Sequence, residues 1–428
     1  MWERGLQRVL STGEPMSEER KIHFQKACEH SVFSSLPLLT QTFLEQKALL
    51  HHFSFSQLQQ LIIIAVDLYM WDVTPLEQVW EDKQSAKDTF LWLQNYHERL
   101  KNSPKAYTAS PHSFEKESFV LQEIQKQTLG LGSCPVASPK TRCCNLLTLD
   151  AVESCGFDCS YCSIQSFYKN NAITFDKDFA TKLENLILDP QKTYHIGTGQ
   201  SSDSLMWGNR AGVLEALLKF AKKHPNVILE FKSKSDNIAY LLEQEIPKNV
   251  ICTWSLNPQV IIDHEEKRTA SLHARIHSAR LLADKGVLVG FHFHPIVLFD
   301  GWQSAYCLII QELLASFSPE EVALVSMGTL TFIKPVLKKI RLRAQKSKIL
   351  QMPLCDANGK YSYPLAQKKE MFQTLYRAFA PWHDTVFFYL CMEDEWLWKE
   401  VFGYEFENNE AFEKAMIRAY THKRQGSK

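Results

Sequence analysis

From about residue 145 onward, short apolar runs alternate with amphipathic stretches, and that alternation leaves few folds open. Runs of strand length occupy 146–151, 193–196, 227–232, 250–255, 287–293 and 321–327, with another at 385–391. Helical spacing of apolar residues covers 176–188, 211–224 and 273–285 between them. Near-continuous apolar runs are what strands buried on both faces require. Strands alternating with helices imply parallel pairing through crossover helices. Five to seven such units predict an α/β fold in the form of a partial or complete barrel. Its chemistry belongs at the C-terminal ends of the strands.

The chain ahead of this region has a different texture. Residues 1 to about 103 read as helical, with apolar positions recurring through Leu58, Leu61, Ile62, Ala65, Leu68 and Tyr69. A second helix is expected after Pro75, through Val79 and Trp80 to Phe90, Leu91 and Leu93. Residues 101–113 hold two prolines among Ser, Thr and Asn and read as a linker. A further helix is expected over 114–127, ahead of the break at Gly130-Leu131-Gly132. These readings divide the chain into an N-terminal helical region with linker (1–125), a barrel (126–400) and a C-terminal helical tail (401–428).

Composition narrows the setting. Lys plus Arg equals Asp plus Glu at 48 each, so no global field draws the chain to nucleic acid or membrane, although a local basic face is compatible with that balance. Eleven scattered cysteines do not form the even, regular framework of a secreted disulfide protein. Residues 1–15 lack the apolar core of a signal peptide, and the run 61–66 is too short to cross a bilayer. A reducing, cytoplasmic location without membrane attachment is the expectation.

The chemistry-bearing segment is Cys155-Gly-Phe-Asp-Cys159-Ser-Tyr-Cys162, directly after the first expected barrel strand. Three thiolates at C-x3-C-x2-C spacing can hold three corners of a [4Fe-4S] cube and leave the fourth iron open. That open iron can chelate the amino and carboxylate groups of S-adenosylmethionine (SAM), whose reductive cleavage yields a 5′-deoxyadenosyl radical. Two other readings of the same residues stand beside it: a structural zinc site completed by Cys143 or Cys144, and three packed free thiols.

The triad, with Tyr161 inside its last gap, resembles that of the radical SAM superfamily, whose fold is a partial (β/α)6 barrel. Within it, the region from about 145 to 300 resembles spore photoproduct lyase, a DNA repair enzyme, and its relatives. The likeness runs through Gly197-Thr-Gly-Gln-Ser-Ser-Asp203, Phe231-Lys-Ser-Lys234, Trp254-Ser-Leu-Asn257 and the stretch 269–296 with Arg275, Gly286 and Gly290. By that resemblance Ser202, Lys234 and Ser255 contact SAM. The lysine would meet the methionyl carboxylate and the serines would give hydroxyl hydrogen bonds. Gly197 and Gly199 would let the backbone approach the cofactor. Tyr161 and His294 are the candidate catalytic residues. An external flavodoxin- or ferredoxin-type electron donor is implied, and DNA is the substrate the resemblance favours over RNA, a peptide or a metabolite.

Two departures bear on the chemistry. The lyase's hydrogen-donating cysteine falls at Gln200, and the tyrosine that follows its last cluster cysteine falls at Ser163. An amide cannot stand in for a thiol as hydrogen-atom donor. Cys252 and Cys307 are therefore thiols to test, and a catalytically inactive nucleic-acid-binding or scaffold protein on the same fold is the alternative. Three further segments invite weighing. His292 and His294 share a strand face and, with Asp300, could gather a metal. His264-Glu-Glu-Lys-Arg268 reads as a solvated loop or helix start. Residues 334–348 carry seven Lys or Arg, either a phosphate-tracking stretch or a charged helix face, the latter favoured.

Overall fold

The computed structural model describes residues 18–29, 31–107, 119–134, 141–164, 172–343, 345–357 and 359–426. The chain divides into two compact units, one of residues 1–103 and 337–352, the other of 104–336 and 353–428.

The first unit is helical as expected: Glu18–Cys28, Leu38–Leu50, Phe55–Met70, Leu76–Val79 and Ala86–Asn102. Phe55–Met70 starts where Ser54 and Gln57 form a reciprocal capping box. It buries Leu58, Leu61, Ile62, Ala65 and Leu68, the stripe seen in the sequence. The single helix expected after Pro75 is instead two. The first stops at Trp80, whose backbone is extended, and the second begins beyond Ser85, whose hydroxyl caps the Asp88 amide. Fully buried Asp67 accepts hydrogen bonds from His97 (3.0 Å) and from Arg341 (2.6 and 3.1 Å). Burial works against its charge, but these two partners outweigh it and hold the carboxyl below its usual range. Arg341 belongs to the basic stretch 334–348, and so do Lys346 and Lys348, which donate to the Tyr69 and Trp71 carbonyls. Three of its cations are thus spent inside this unit, which favours the structural reading of the stretch.

The second unit contains the strands. They are β1 (Val120–Ile124), β2 (Leu131–Ser133), β3 (Leu147–Leu149), β4 (Val152–Glu153), β5 (Asp158–Cys159), β6 (Ala172–Asp176), β7 (Tyr194–Thr198) and β8 (Val227–Ser233). Further along lie β9 (Val250–Ser255), β10 (Glu266–Lys267), β11 (Leu288–Ile296), β12 (Val322–Thr329), β13 (Thr331–Ile333), β14 (Cys355–Ala357), β15 (Lys360–Ser362) and β16 (Phe387–Leu390). Eight of them form one sheet in the order β16-β12-β11-β9-β8-β7-β3-β2. Every pair from β3 to β16 is parallel, and β2 adds an antiparallel edge. This is the expected α/β partial barrel: six strands from β3 to β12, extended at one edge by β16. The strands are legible as runs because β9 and β12 are buried at every position.

The crossover helices follow the same logic. Helix Val213–Lys223 buries Val213, Leu214, Leu217, Phe220 and Ala221 and leaves Glu215 and Lys219 paired at 2.6 Å on its outer side. Ser271 caps Leu272–Asp284 through the Ala274 amide. Inside the barrel, Gly290 leaves no room for a side chain, since a Cβ would stand 2.8 Å from Leu324 Cγ and 2.9 Å from Thr253 Cγ2. The helix expected over 114–127 is not formed in its described part. Residues 114–118 lie outside the described residues, and beyond them Val120–Ile124 is a strand paired in parallel with β6. Among the described residues, no helix is long and apolar enough to cross a membrane.

Candidate active site

Above the C-terminal ends of the parallel strands lies a cavity of about 450 Å³. Cys155, Cys159 and Cys162 all open onto it. Their loop is sewn to the segment 265–267: β5 pairs with β10 so that Cys159 opposes Glu266. The Ser160 amide donates to the Glu265 carbonyl at 2.8 Å, the Ser160 hydroxyl to the Glu265 carboxylate, and the Tyr161 hydroxyl to the Glu266 carboxylate.

The solvated loop expected at His264–Arg268 is therefore a misreading of its two acids. Glu265 and Glu266 are 0% and 1% exposed. Glu266 also accepts from Asn257 (2.7 Å) and pairs with Arg275 at 2.6 Å, both of those side chains being fully buried. Burial raises the cost of its charge, yet Arg275 and Lys234 outweigh that and hold its carboxyl below the usual range. Tyr107 donates to Glu265 at 2.8 Å. These acids act as the frame on which the cysteine loop is built.

The cavity brings together nearly all the residues singled out from the sequence. Gly199, Ser202, Lys234, Ser255, Tyr161 and His294 line it beside the triad. Gly199 has φ +82°, and a Cβ there would collide with Ser204 Oγ at 2.6 Å and the Lys232 carbonyl at 2.9 Å, so glycine is required. Gly197 does not join them. A Cβ on it would meet Leu146 Cδ2 at 3.0 Å, so its bareness admits a core side chain rather than a ligand. Asp203, 9% exposed, ties two strand ends together. Its oxygens accept from the Leu205 and Met206 amides (3.0 Å each), the Ser233 hydroxyl (2.8 Å) and the Lys234 amide (2.7 Å). Burial lifts its carboxyl above the usual range against these four donors. Lys234 stands 5.8 Å from the Tyr161 ring centroid. Burial opposes its charge, but Glu266 and the Cys159 thiol draw it upward overall.

His292 and His294 separate. His294 reaches the cavity, where Gly328 makes space for its ring: a Cβ on Gly328 would lie 2.8 Å from His294 Cδ2. His292 sits deeper, donating through Nε2 to Glu230 at 2.9 Å and bonded through Nδ1 to the Ser326 hydroxyl. Burial, with Lys232 nearby, pulls it down to about 4, so it is neutral. Glu230 takes a second bond from His195 (2.8 Å) and a third from Thr253 (2.8 Å), making a polar layer across the barrel interior that the sequence did not announce. Asp300 is exposed and outside the cavity, so no His292–His294–Asp300 metal group forms.

The donor set fits an iron–sulfur cluster better than closed zinc. Burial first, and the Asp203 charge next, push the Cys155 thiol up, and burial does the same to Cys159. Lys234 draws both the other way without outweighing burial, and a bound metal's positive charge would add to it. Cys143, a fourth-ligand candidate for zinc, lines a different cavity with Cys134 and His195, and Cys144 is not among the residues lining the triad's cavity. Among the described residues, no three Cys, His, Asp or Glu side chains close around a point as a single ion demands. A four-iron cube spreads its three ligands more widely. Both departures from the lyase pattern, Gln200 and Ser163, line the cavity, whereas Cys252 and Cys307 do not. Cys252 is fully buried in β9.

Comparison with known proteins completes the picture. The family model for spore photoproduct lyase matches residues 151–379. The spore photoproduct lyase of Geobacillus sp. (strain Y412MC61) is 24% identical over 216 residues, 49% of this chain and 62% of that protein. That of Bacillus subtilis (strain 168) is 27% identical over 124 residues, 28% of this chain and 36% of that protein. The chain thus spans less than two thirds of the length of the curated relatives it matches. A solved spore photoproduct lyase complexed with dinucleoside spore photoproduct superposes with a TM-score of 0.55 at 21% identity, over 63% of this chain and 82% of that one. A variant of that enzyme with bound AdoMet and dinucleoside spore photoproduct gives 0.53 at 21% identity, over 64% and 82%. These likenesses establish the fold.

Proposed function

Since the chain belongs to the spore photoproduct lyase family, we propose that it is a radical SAM enzyme with a nucleic acid photoproduct or a related lesion as its substrate. The observation that carries this reading is the convergence of Cys155, Cys159 and Cys162 with Ser202, Lys234 and Ser255 on one cavity. Cys155, Cys159 and Cys162 would hold a [4Fe-4S] cluster, which together with SAM would supply one-electron radical chemistry. The chain's own residues do the rest. Lys234 offers an ammonium to the SAM carboxylate, and the Ser202 and Ser255 hydroxyls orient the remainder. Tyr161, bound to Glu266, fixes the cysteine loop. Phe157, Leu330 and Phe332 wall the cavity with apolar surface and limit water around a reactive radical.

A second reading draws on Gln200. The described residues lining the cavity include no thiol besides the triad, so hydrogen return by a cysteine on the lyase pattern has no donor here. That favours a radical reaction ending on another donor, acting on DNA, RNA, a peptide or a metabolite, or a binding protein that has lost catalysis. An external flavodoxin- or ferredoxin-type reductant and a cytoplasmic setting belong to the first reading.

The test is anaerobic reconstitution with iron and sulfide, addition of dithionite and SAM, and mass spectrometric assay of 5′-deoxyadenosine. Product from the wild type and none from Cys159→Ala supports the enzyme. A fully loaded cluster that yields none, even with ultraviolet-damaged DNA present, favours the binding protein.

A further inference from the structure

The cavity receives two lysines from the end of one strand. Lys232 lies on β8 and Lys234 one residue past its end, and both line the cavity. Their charges weigh differently on the neighbours. Lys234 alone is felt at Cys155 and Cys159 and Lys232 alone at Cys391, while both reach His292 and His294, Lys232 the more strongly. Lys234 therefore leans to the cysteine side and Lys232 to the side of β11 and β16.

Lys234 has Glu266 and the Tyr161 ring for company. Lys232, half-buried, has no hydrogen-bond or ion-pair partner among the described residues. Asp203 is the one carboxylate among the described residues lining the cavity, and four donors already occupy it. A half-buried ammonium facing a cavity with no free anion among the described residues is placed to take one from a ligand.

We propose that Lys232, with His294 beside it, is an anion subsite that takes a phosphate of the substrate, here the phosphodiester bridging two nucleotides. This rests on the nucleic acid reading above and adds to it the group by which the substrate is held. His294 suits the role. Burial, and Lys232 after it, keep the ring neutral, so it can donate one N–H without adding a second charge. SAM does not compete for this lysine, because Lys234 lies on the triad side. A singly charged phosphodiester then neutralises Lys232.

The experiment uses the full chain, reconstituted anaerobically with SAM present, and measures binding by calorimetry. Three probes are compared: the dinucleotide spore photoproduct with its bridging phosphate, the dinucleoside form without it, and inorganic pyrophosphate. Wild type is expected to bind the phosphate-bearing photoproduct about tenfold more tightly than the dinucleoside, the size of one charge-assisted hydrogen bond. Lys232→Gln should bind the two alike, and Lys232→Arg should restore most of the preference and so exclude misfolding as the cause. Equal binding of both forms by wild type, or a preference kept in Lys232→Gln, overturns the subsite and leaves the photoproduct reading intact. Pyrophosphate binding that Lys232→Gln abolishes, with neither photoproduct bound, upholds the subsite and removes the photoproduct reading. No binding of any probe overturns the subsite.

Discussion

Replacing Glu266 with Ala tests whether the cysteine loop rests on a buried charge pair. Glu266 and Arg275 lie 2.6 Å apart with both side chains fully buried, and Tyr161 and Asn257 donate to the same carboxylate. Breaking a buried pair by removing one partner costs about 3–5 kcal/mol, because the remaining charge is left uncompensated. Arg275 keeps bonds to the Ala270 and Ser255 carbonyls and to Thr269, which places the loss toward the middle of that range. Tyr161 opens on the cavity and can find water, whereas the Asn257 amide is fully buried. An expected loss of about 4 kcal/mol follows. At a urea slope of about 2–3 kcal/mol/M it moves the midpoint down by roughly 1.5 M. Glu266→Gln, which keeps an acceptor but no charge, should lose roughly half as much. Urea unfolding of the apoprotein in anaerobic reducing buffer, followed by tryptophan fluorescence, reads both. Iron content after reconstitution should fall in Glu266→Ala, since the cysteine loop loses the carboxylate that anchors Tyr161. A stability loss under about 1 kcal/mol, the worth of a solvent-exposed pair, would refute the reasoning.

Other outcomes follow from particular contacts. Gly328→Ala places a Cβ 2.8 Å from the His294 ring, and overpacking of that kind should cost about 1–3 kcal/mol, read as a lower melting temperature. An unchanged melting temperature would mean the ring moves freely. In the helical unit, Asp67 has its folded carboxyl held below the unfolded value by His97 and Arg341 despite burial. Its contribution is present above the unfolded value of about 3.9 and is lost as pH falls through the folded one. Asp67→Asn should therefore be less stable than wild type at neutral pH and flatten the acid limb of the stability profile. A variant whose stability still falls as steeply as wild type below about pH 4 would show that other carboxylates set that limb.

The barrel was readable because parallel strands buried on both faces leave unbroken apolar runs, such as 250–255 and 322–329. The triad was readable because three ligands sit on eight consecutive residues. Strands β4, β5 and β10, of two residues each, are too short for any period to show. Residues 120–124 failed for another reason. Val120 and Ile124 stand four apart, a helical spacing, but pairing with β6 overrides it. The acids at 265 and 266 were illegible because local composition, His-Glu-Glu-Lys-Arg, argues for solvent. Their partners Ser160 and Tyr161 are 105 residues away in sequence. Lys232 carries no signal of its own in the Lys-Ser-Lys run, and it is the cavity lining that picks it out.

Asp203 clasps the loop that follows β7 to the last residues of β8. The chain carrying Ser202 and the chain carrying Lys234 are thus one body before any ligand arrives. Ordering loops and side chains on association ordinarily takes about 0.5–1.5 kcal/mol for each immobilised group. Here folding has already met much of that cost, so a ligand held between Ser202 and Lys234 would not have to order the two segments first.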